Sequence, residues 1–178
     1  MAGSVAVPSG LASQQTPTRG RAGRWRTPEP GRLLARGAAV LLADLGWAVL
    51  HELPLGNRRR VDLAAIDARG RIAIVEVKSS LADWRADAKW PEYLPWCDLF
   101  YFAVPEDFPR PVLDEAAARP AIAGLMVVDG FSGAIVRPAA ERPLPAARRR
   151  ALTLRFARAA AGRLARRDSG FSLRLADD

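Results

Sequence analysis

The chain has 178 residues, 49% of them hydrophobic, which suits one globular domain with short extensions and excludes a wholly disordered protein. Lys and Arg number 27 against 19 Asp and Glu, a net charge of +8. The excess sits at the ends: residues 1–30 carry +3, residues 139–178 carry +6, and residues 31–138 carry −1. Cationic ends around a near-neutral middle suit a polyanionic partner, although a solvated arginine surface would look the same. No apolar run is long enough to span a bilayer. The first 20 residues lack a basic stretch followed by an apolar core, so no secretory signal is read. A single Cys97 excludes an internal disulfide; it fits a small buried residue and a reducing, cytoplasmic setting.

Residues 1–30, rich in Gly, Pro, Ser, Thr and Arg, read as a flexible basic arm. Arg32 to Leu45 has a helical period and ends at Gly46. Strands are expected at 47–53, 59–67 and 71–79, the last two joined by Ala68-Arg69-Gly70. A helix follows at 81–90, with Pro91 marking a kink, then a buried strand at 98–105. A short helix is expected within 110–118, strands at 122–129 and 133–137, and a basic helix at 144–167. This order gives an α/β domain over residues 31–138 with a mixed central sheet flanked by helices, then a basic C-terminal helix and tail over 139–178.

The chemistry concentrates in residues 58–80. Glu76 and Lys78 interrupt an apolar strand, where an unpaired charge is costly, and being two apart they share a face. A three-residue loop with Gly70 in the left-handed position places Asp67 opposite Arg71, and counting back sets Asp62 opposite Glu76. Two carboxylates and a lysine therefore meet at the open end of one hairpin. Asp62, Glu76 and the main-chain carbonyl of Val77 form a hard oxygen set of the kind Mg²⁺ takes, with Mn²⁺ a substitute. Lys78 is placed to orient or deprotonate an attacking water and to steady charge on a phosphoryl group. Of the 27 basic residues only Lys78 and Lys89 are lysines, so a lysine kept at position 78 marks a place for a compact ammonium.

Asp62 followed by Glu76-Val77-Lys78 resembles the signature of the PD-(D/E)XK nuclease superfamily, with Val61 where that motif often has proline. The stretches RRVDLA, VEVKSS and DWRADAKWPEYLPWCDLFYFAVP resemble the MmcB-type family of DNA-repair endonucleases, over about residues 31–137. The resemblance implies a restriction-endonuclease-like αβββαβ core. It also implies a Mg²⁺-dependent deoxyribonuclease acting on DNA, with Asp62, Glu76 and Lys78 catalytic. Lys89 and Tyr93 match in spacing the Gln-x-x-x-Tyr element of RecB-like relatives and would touch DNA phosphate. Arg58, Arg59 and Arg60 are further candidates for phosphate contact.

The remaining candidates are weaker. Asp83 and Asp87, one helical turn apart, either position Lys89 or Arg85 or form a solvated acidic face. Glu52 is a further carboxylate for the metal or an exposed strand residue; His51 beside it faces away if the strand is regular. Trp84, Trp90, Tyr93 and Trp96 stack on bases in an opened strand or, more commonly, fill the core. Two rivals to the nuclease remain: an inactive nuclease fold that binds DNA or RNA, and a structural Glu76–Lys78 ion pair without catalysis.

Overall fold

The computed structural model describes residues 29–169. The basic arm therefore lies, but for residues 29 and 30, outside the described residues, as do positions 170–178. Helix α1 (Pro30–Asp44) is followed by strands β1 (Ala48–Pro54), β2 (Arg60–Ile66) and β3 (Ile72–Val77). Next come helix α2 (Leu81–Ala86), a 3-10 segment (Trp90–Trp96), β4 (Leu99–Val104) and two 3-10 turns (Arg110–Leu113, Ala116–Ala118). Strands β5 (Gly124–Val128) and β6 (Gly133–Arg137) lead into helix α3 (Ala146–Ser169). All six strands form one sheet in chain order. The pairs β1–β2, β2–β3 and β5–β6 are antiparallel, while β3–β4 and β4–β5 are parallel. This is the mixed sheet flanked by helices expected from the sequence.

The sheet buries both faces. Helix α1 lays Leu34, Ala38 and Leu42 against Leu63, Val75, Val77, Tyr101 and Met126. It approaches so closely that a Cβ on Gly37 would lie 1.9 Å from the Asp129 carbonyl oxygen, so only glycine fits there. Opposite, Trp90, Tyr93 and Leu94 of the 3-10 segment and Leu152 of α3 cover Ile72, Ile74, Phe100 and Phe102. Trp90 stacks on Phe100, and Trp84 meets Phe102 edge-on, both with ring centroids about 5 Å apart. These tryptophans belong to the core, and Trp96 is half-buried beneath Arg148. Base stacking has no support from their placement. Strand β4, buried along its whole length between two parallel neighbours, accounts for the unbroken apolar run of the sequence.

Two of the expected helices differ in the structure. The helix expected over 81–90 ends at Ala86, because Asp87 takes an extended conformation and its carboxylate is engaged elsewhere. The helix expected within 110–118 is two separate 3-10 turns. The expected basic C-terminal helix is present and packs on the core through Leu152 and Phe156.

A buried carboxylate fastens α3 in place. Asp98 is 2% exposed, and its oxygens accept two bonds from Arg149 at 2.6 and 2.7 Å and the main-chain N–H groups of Ile72 and Leu144 at 2.7 and 2.8 Å. Arg149 also donates to the Gly70 carbonyl in the hairpin loop. Burial opposes ionisation of Asp98, but these bonds outweigh it and hold its pKa below the usual carboxylate range. Asp98→Ala should therefore cost about 3 kcal/mol or more in urea unfolding, since it strands a half-buried guanidinium and two N–H groups. A loss under about 1 kcal/mol would show that α3 is held by apolar packing alone.

Among the described residues no helix is long and apolar enough to cross a membrane.

Candidate active site

The β2–β3 hairpin has the expected register. Its loop carries Gly70 at φ +76°, Asp67 bonds Arg71, and the ladder runs from Ile66–Ile72 to Leu63–Val75. One step further, at Asp62 and Glu76, regular pairing gives way to a different set of bonds. The N–H of Asp62 donates to Glu76 Oε1 at 3.2 Å, and the N–H of Val77 donates to Asp62 Oδ2 at 2.8 Å. The side-chain alternation of β2 changes sides here, with Leu63 packed under α1 and Val61 in the opposite core. On β1, Glu52 adopts φ +49° between the paired residues His51 and Leu53. Strands β1 and β2 are thus irregular at one level, while β3 keeps its register with β4 through Val77, and a cavity opens there.

This cavity, about 800 Å³, is lined by Asp62, Glu76, Val77 and Lys78 together with His51, Glu52, Asp83, Arg32 and Arg163. Glu76 is 5% exposed and Lys78 is 4% exposed. Burial, then the neighbouring charge of Asp62, pushes the pKa of Glu76 up to about 8. Burial also raises that of Asp62, against the Val77 N–H and Lys78. Lys78 does not neutralise them directly, because its ammonium is paired with Asp87 Oδ2 at 2.5 Å. Among the described residues, then, the buried Glu76 and the half-buried Asp62 have no cation bonded to either, and a structural Glu76–Lys78 ion pair is not what holds Lys78.

The helix break gives Asp87 this role. Released from α2, its carboxylate reaches Lys78 with one oxygen and accepts the Lys89 N–H with the other. Asp83 instead accepts the Ser79 N–H at 3.0 Å, while Ser80 caps α2. The expected acidic face is thus divided between two jobs, and neither residue bonds the side chain of Lys89 or Arg85.

Lys89 and Tyr93 do not share a face. The segment between them is 3-10, with Pro91 and Pro95 excluding a regular α-turn, and residues four apart are not aligned in that geometry. Lys89 is exposed and Tyr93 is buried. Burial, then the charges of Glu76, Asp87 and Asp62, pushes the Tyr93 phenol up to about 12. Arg58, Arg59 and Arg60 lie outside the cavity wall: Arg59 makes a two-bond pair with Glu92 at 2.8 Å, Arg60 reaches Glu52 at 3.4 Å, and Arg58 is exposed at φ +63°. Cys97 is buried, as expected, and its thiol is pushed up by that burial.

The structure adds residues that the sequence pattern did not assign to the site. Regular alternation turned His51 away from Glu52, but the left-handed Glu52 breaks that alternation and both line the cavity. Arg163 comes from α3 and Arg32 from the first turn of α1. Arg163 had a legible signal: Arg149, Leu152, Phe156, Ala159 and Arg163 follow a 3-4-3-4 spacing, the inward stripe of an amphipathic helix. An arginine at each end of such a stripe points to a partner inside.

The oxygen donors suit a divalent cation in kind and in charge. Among the described residues no group of three His, Cys, Asp or Glu side chains is gathered to bind a metal. An ion at this site would be held by Asp62, Glu76, the Val77 carbonyl and water.

A family model described as DNA repair protein MmcB-like matches residues 21–170. The chain belongs to the MmcB-like family. The match includes α3, beyond the span over which the sequence motifs carry the resemblance. A solved structure of a protein of unknown function from Silicibacter pomeroyi is 39% identical, with 84% of this chain and 98% of that one covered and a TM-score of 0.75. No curated protein matches the chain.

The raised pKa of Glu76 sets a pH dependence. From its ordinary 4.5 to about 8 the folded, metal-free protein keeps a proton that the unfolded chain has lost, so stability falls as pH rises through that window. In EDTA the melting temperature should fall between those limits, and Glu76→Gln should flatten the fall. Mg²⁺ must expel the proton, so its stabilising shift should grow toward about pH 8 in wild type and vanish in Glu76→Gln. Equal Mg²⁺ shifts in both proteins would rule out Glu76 as a ligand.

Proposed function

We propose that this MmcB-like chain is a Mg²⁺-dependent DNA endonuclease of the PD-(D/E)XK type, acting in DNA repair. The observation that supports it best is the pairing of a buried carboxylate, Glu76, with a half-buried one, Asp62, that no cation among the described residues bonds although Lys78 lies beside them. Retaining such a pair is costly unless a ligand supplies the missing positive charge. The family's description as a DNA repair protein supplies the substrate class.

In this reading Asp62, Glu76 and the Val77 carbonyl hold the ion. Bound there, Mg²⁺ (or Mn²⁺) supplies charge for the phosphoryl oxygen and a water of lowered pKa. The chain's own residues do the remainder. Lys78, its ammonium steered by Asp87, orients the attacking water and steadies charge as the P–O bond breaks. Water oxygen forms the new bond to phosphorus as the bond to the leaving oxygen breaks; the water gives up a proton to solvent and the leaving oxygen takes one from solvent. Arg58, Arg59, Arg60, Lys89 and Tyr93 are not part of the cavity lining; in this reading the exposed Arg58, Arg60 and Lys89 would meet phosphate outside it.

Nicked, branched, single-stranded and duplex DNA incubated with Mg²⁺, Mn²⁺ or EDTA tests the activity. At least one of these substrates should be cut with either metal, and none in EDTA. Lys78→Ala should lower turnover ~10²–10³-fold with DNA affinity little changed, as for loss of a transition-state contact. Lys78→Arg should fail as well, because a planar guanidinium does not fit a buried ammonium's place beside Asp87. Asp62→Asn should abolish cleavage yet leave the metal-free fold as stable or more so, since it removes a half-buried charge set against Glu76. Full cleavage by Lys78→Ala would remove the assignment.

A further inference from the structure

We propose that Arg163, on the C-terminal helix, is a substrate-binding residue of this cavity and holds a DNA backbone phosphate beside Asp62 and Glu76. The inference deepens the nuclease reading of the same cavity and rests on it.

The half-buried arginines differ in what they are bonded to. Among the described residues they are Arg59, Arg71, Arg137, Arg149 and Arg163. Four of them are bound to a carboxylate, namely Glu92, Asp67 with Glu141, Asp114 and Asp98 respectively. Arg163 is the exception. Its one hydrogen bond among the described residues goes from Nη2 to the Glu52 carbonyl at 3.2 Å. A guanidinium carries five N–H donors, so most of its fork is uncommitted. Yet it lines the same cavity as Glu52, Asp62, Glu76 and Asp83, four carboxylates, and pairs with none of them. Partial burial without a counterion among the described residues has a cost that a bound anion would offset.

A planar fork is the donor best matched to a phosphodiester. A carboxylate ligand would meet the same acidic wall without the second, metal-held contact that a phosphate backbone makes. Arg32 lines the cavity from α1, so cations from two helices flank the carboxylates. A strand seated there would have its scissile phosphate near Asp62 and Glu76 and a phosphate of the same strand on Arg163. The left-handed conformation of Glu52 contributes by turning its carbonyl to the guanidinium, which fixes the fork.

The test measures binding in full-length chains carrying Asp62→Asn, which removes turnover and one cavity carboxylate. Fluorescence anisotropy follows labelled single-stranded and nicked duplex oligonucleotides over a range of salt. Arg163→Ala should weaken binding ~10-fold and reduce the salt slope by about 0.7–0.9, the loss of one phosphate contact. Arg163→Lys should fall between the two, keeping charge but not the fork. Arg158→Ala, an exposed arginine of the same helix outside the cavity, should change affinity less than ~2-fold. Arg163→Met keeps the apolar stem and serves if the alanine variant unfolds. Unchanged affinity in the Ala or Met variant, or an equal loss in Arg158→Ala, would overturn the proposal. If Arg163→Ala loses affinity but wild type cuts no DNA with either metal, the phosphate contact stands and the nuclease reading falls. If wild type cuts DNA but Arg163→Ala binds it unchanged, the nuclease reading stands and the phosphate contact falls.

Discussion

Two carboxylates brought against each other on adjacent strands, with no positive charge among the described residues bonded to either, are the constraint around which this molecule is arranged. Asp62 and Glu76 face each other one step beyond the end of the β2–β3 ladder, and each accepts a main-chain N–H from the opposite strand. Those bonds stabilise the ionised forms only in part, since burial still raises both pKa values. A pair of like charges in a low-dielectric site is tolerable when it shares a proton or a cation. In the free protein a proton on Glu76 meets that need, and a divalent ion would meet it better.

The rest of the fold keeps this arrangement rigid and open. Tight packing of α1 on one face and the aromatic cluster on the other fixes β3 and β4, so Glu76 and Lys78 have little freedom. At the far end of β3, Asp98 ties the hairpin loop, the start of β3 and helix α3 into one buried network. That anchor at Arg149 fixes the line of α3 and so delivers Arg163 to the cavity about four turns later. The early end of α2 serves the same purpose from another side. An α-helix continued to position 90 would hold Asp87 in its regular face, whereas the extended residue delivers a carboxylate to Lys78.

The register of the hairpin was legible because its loop length and Gly70 favour a pairing without a bulge, and that pairing brings Asp62 to Glu76. The buried strand at Leu99–Val104 was legible from its aromatic run. Two features around the cavity were not. Local periodicity carried a helix through Asp87, while an ion pair to a residue nine positions earlier decided where it ended. Alternation turned His51 away from the site, while a left-handed Glu52, which is not a glycine and gives no compositional warning, turned it back. Both failures come from non-local interactions overriding a local rule, and both occur where the strands open. Such departures concentrate at functional sites, where local regularity is traded for the placement of reactive groups.

The cation site proposed for Asp62, Glu76 and the Val77 carbonyl is open to direct observation. Crystals of the protein soaked in Mn²⁺ and measured at the manganese absorption edge provide it. An anomalous peak is expected within ~2.0–2.4 Å of an oxygen from each of those three residues, completed by water. A peak bound elsewhere, or a cavity with no peak at a Mn²⁺ concentration that shifts the melting temperature, would contradict the assignment.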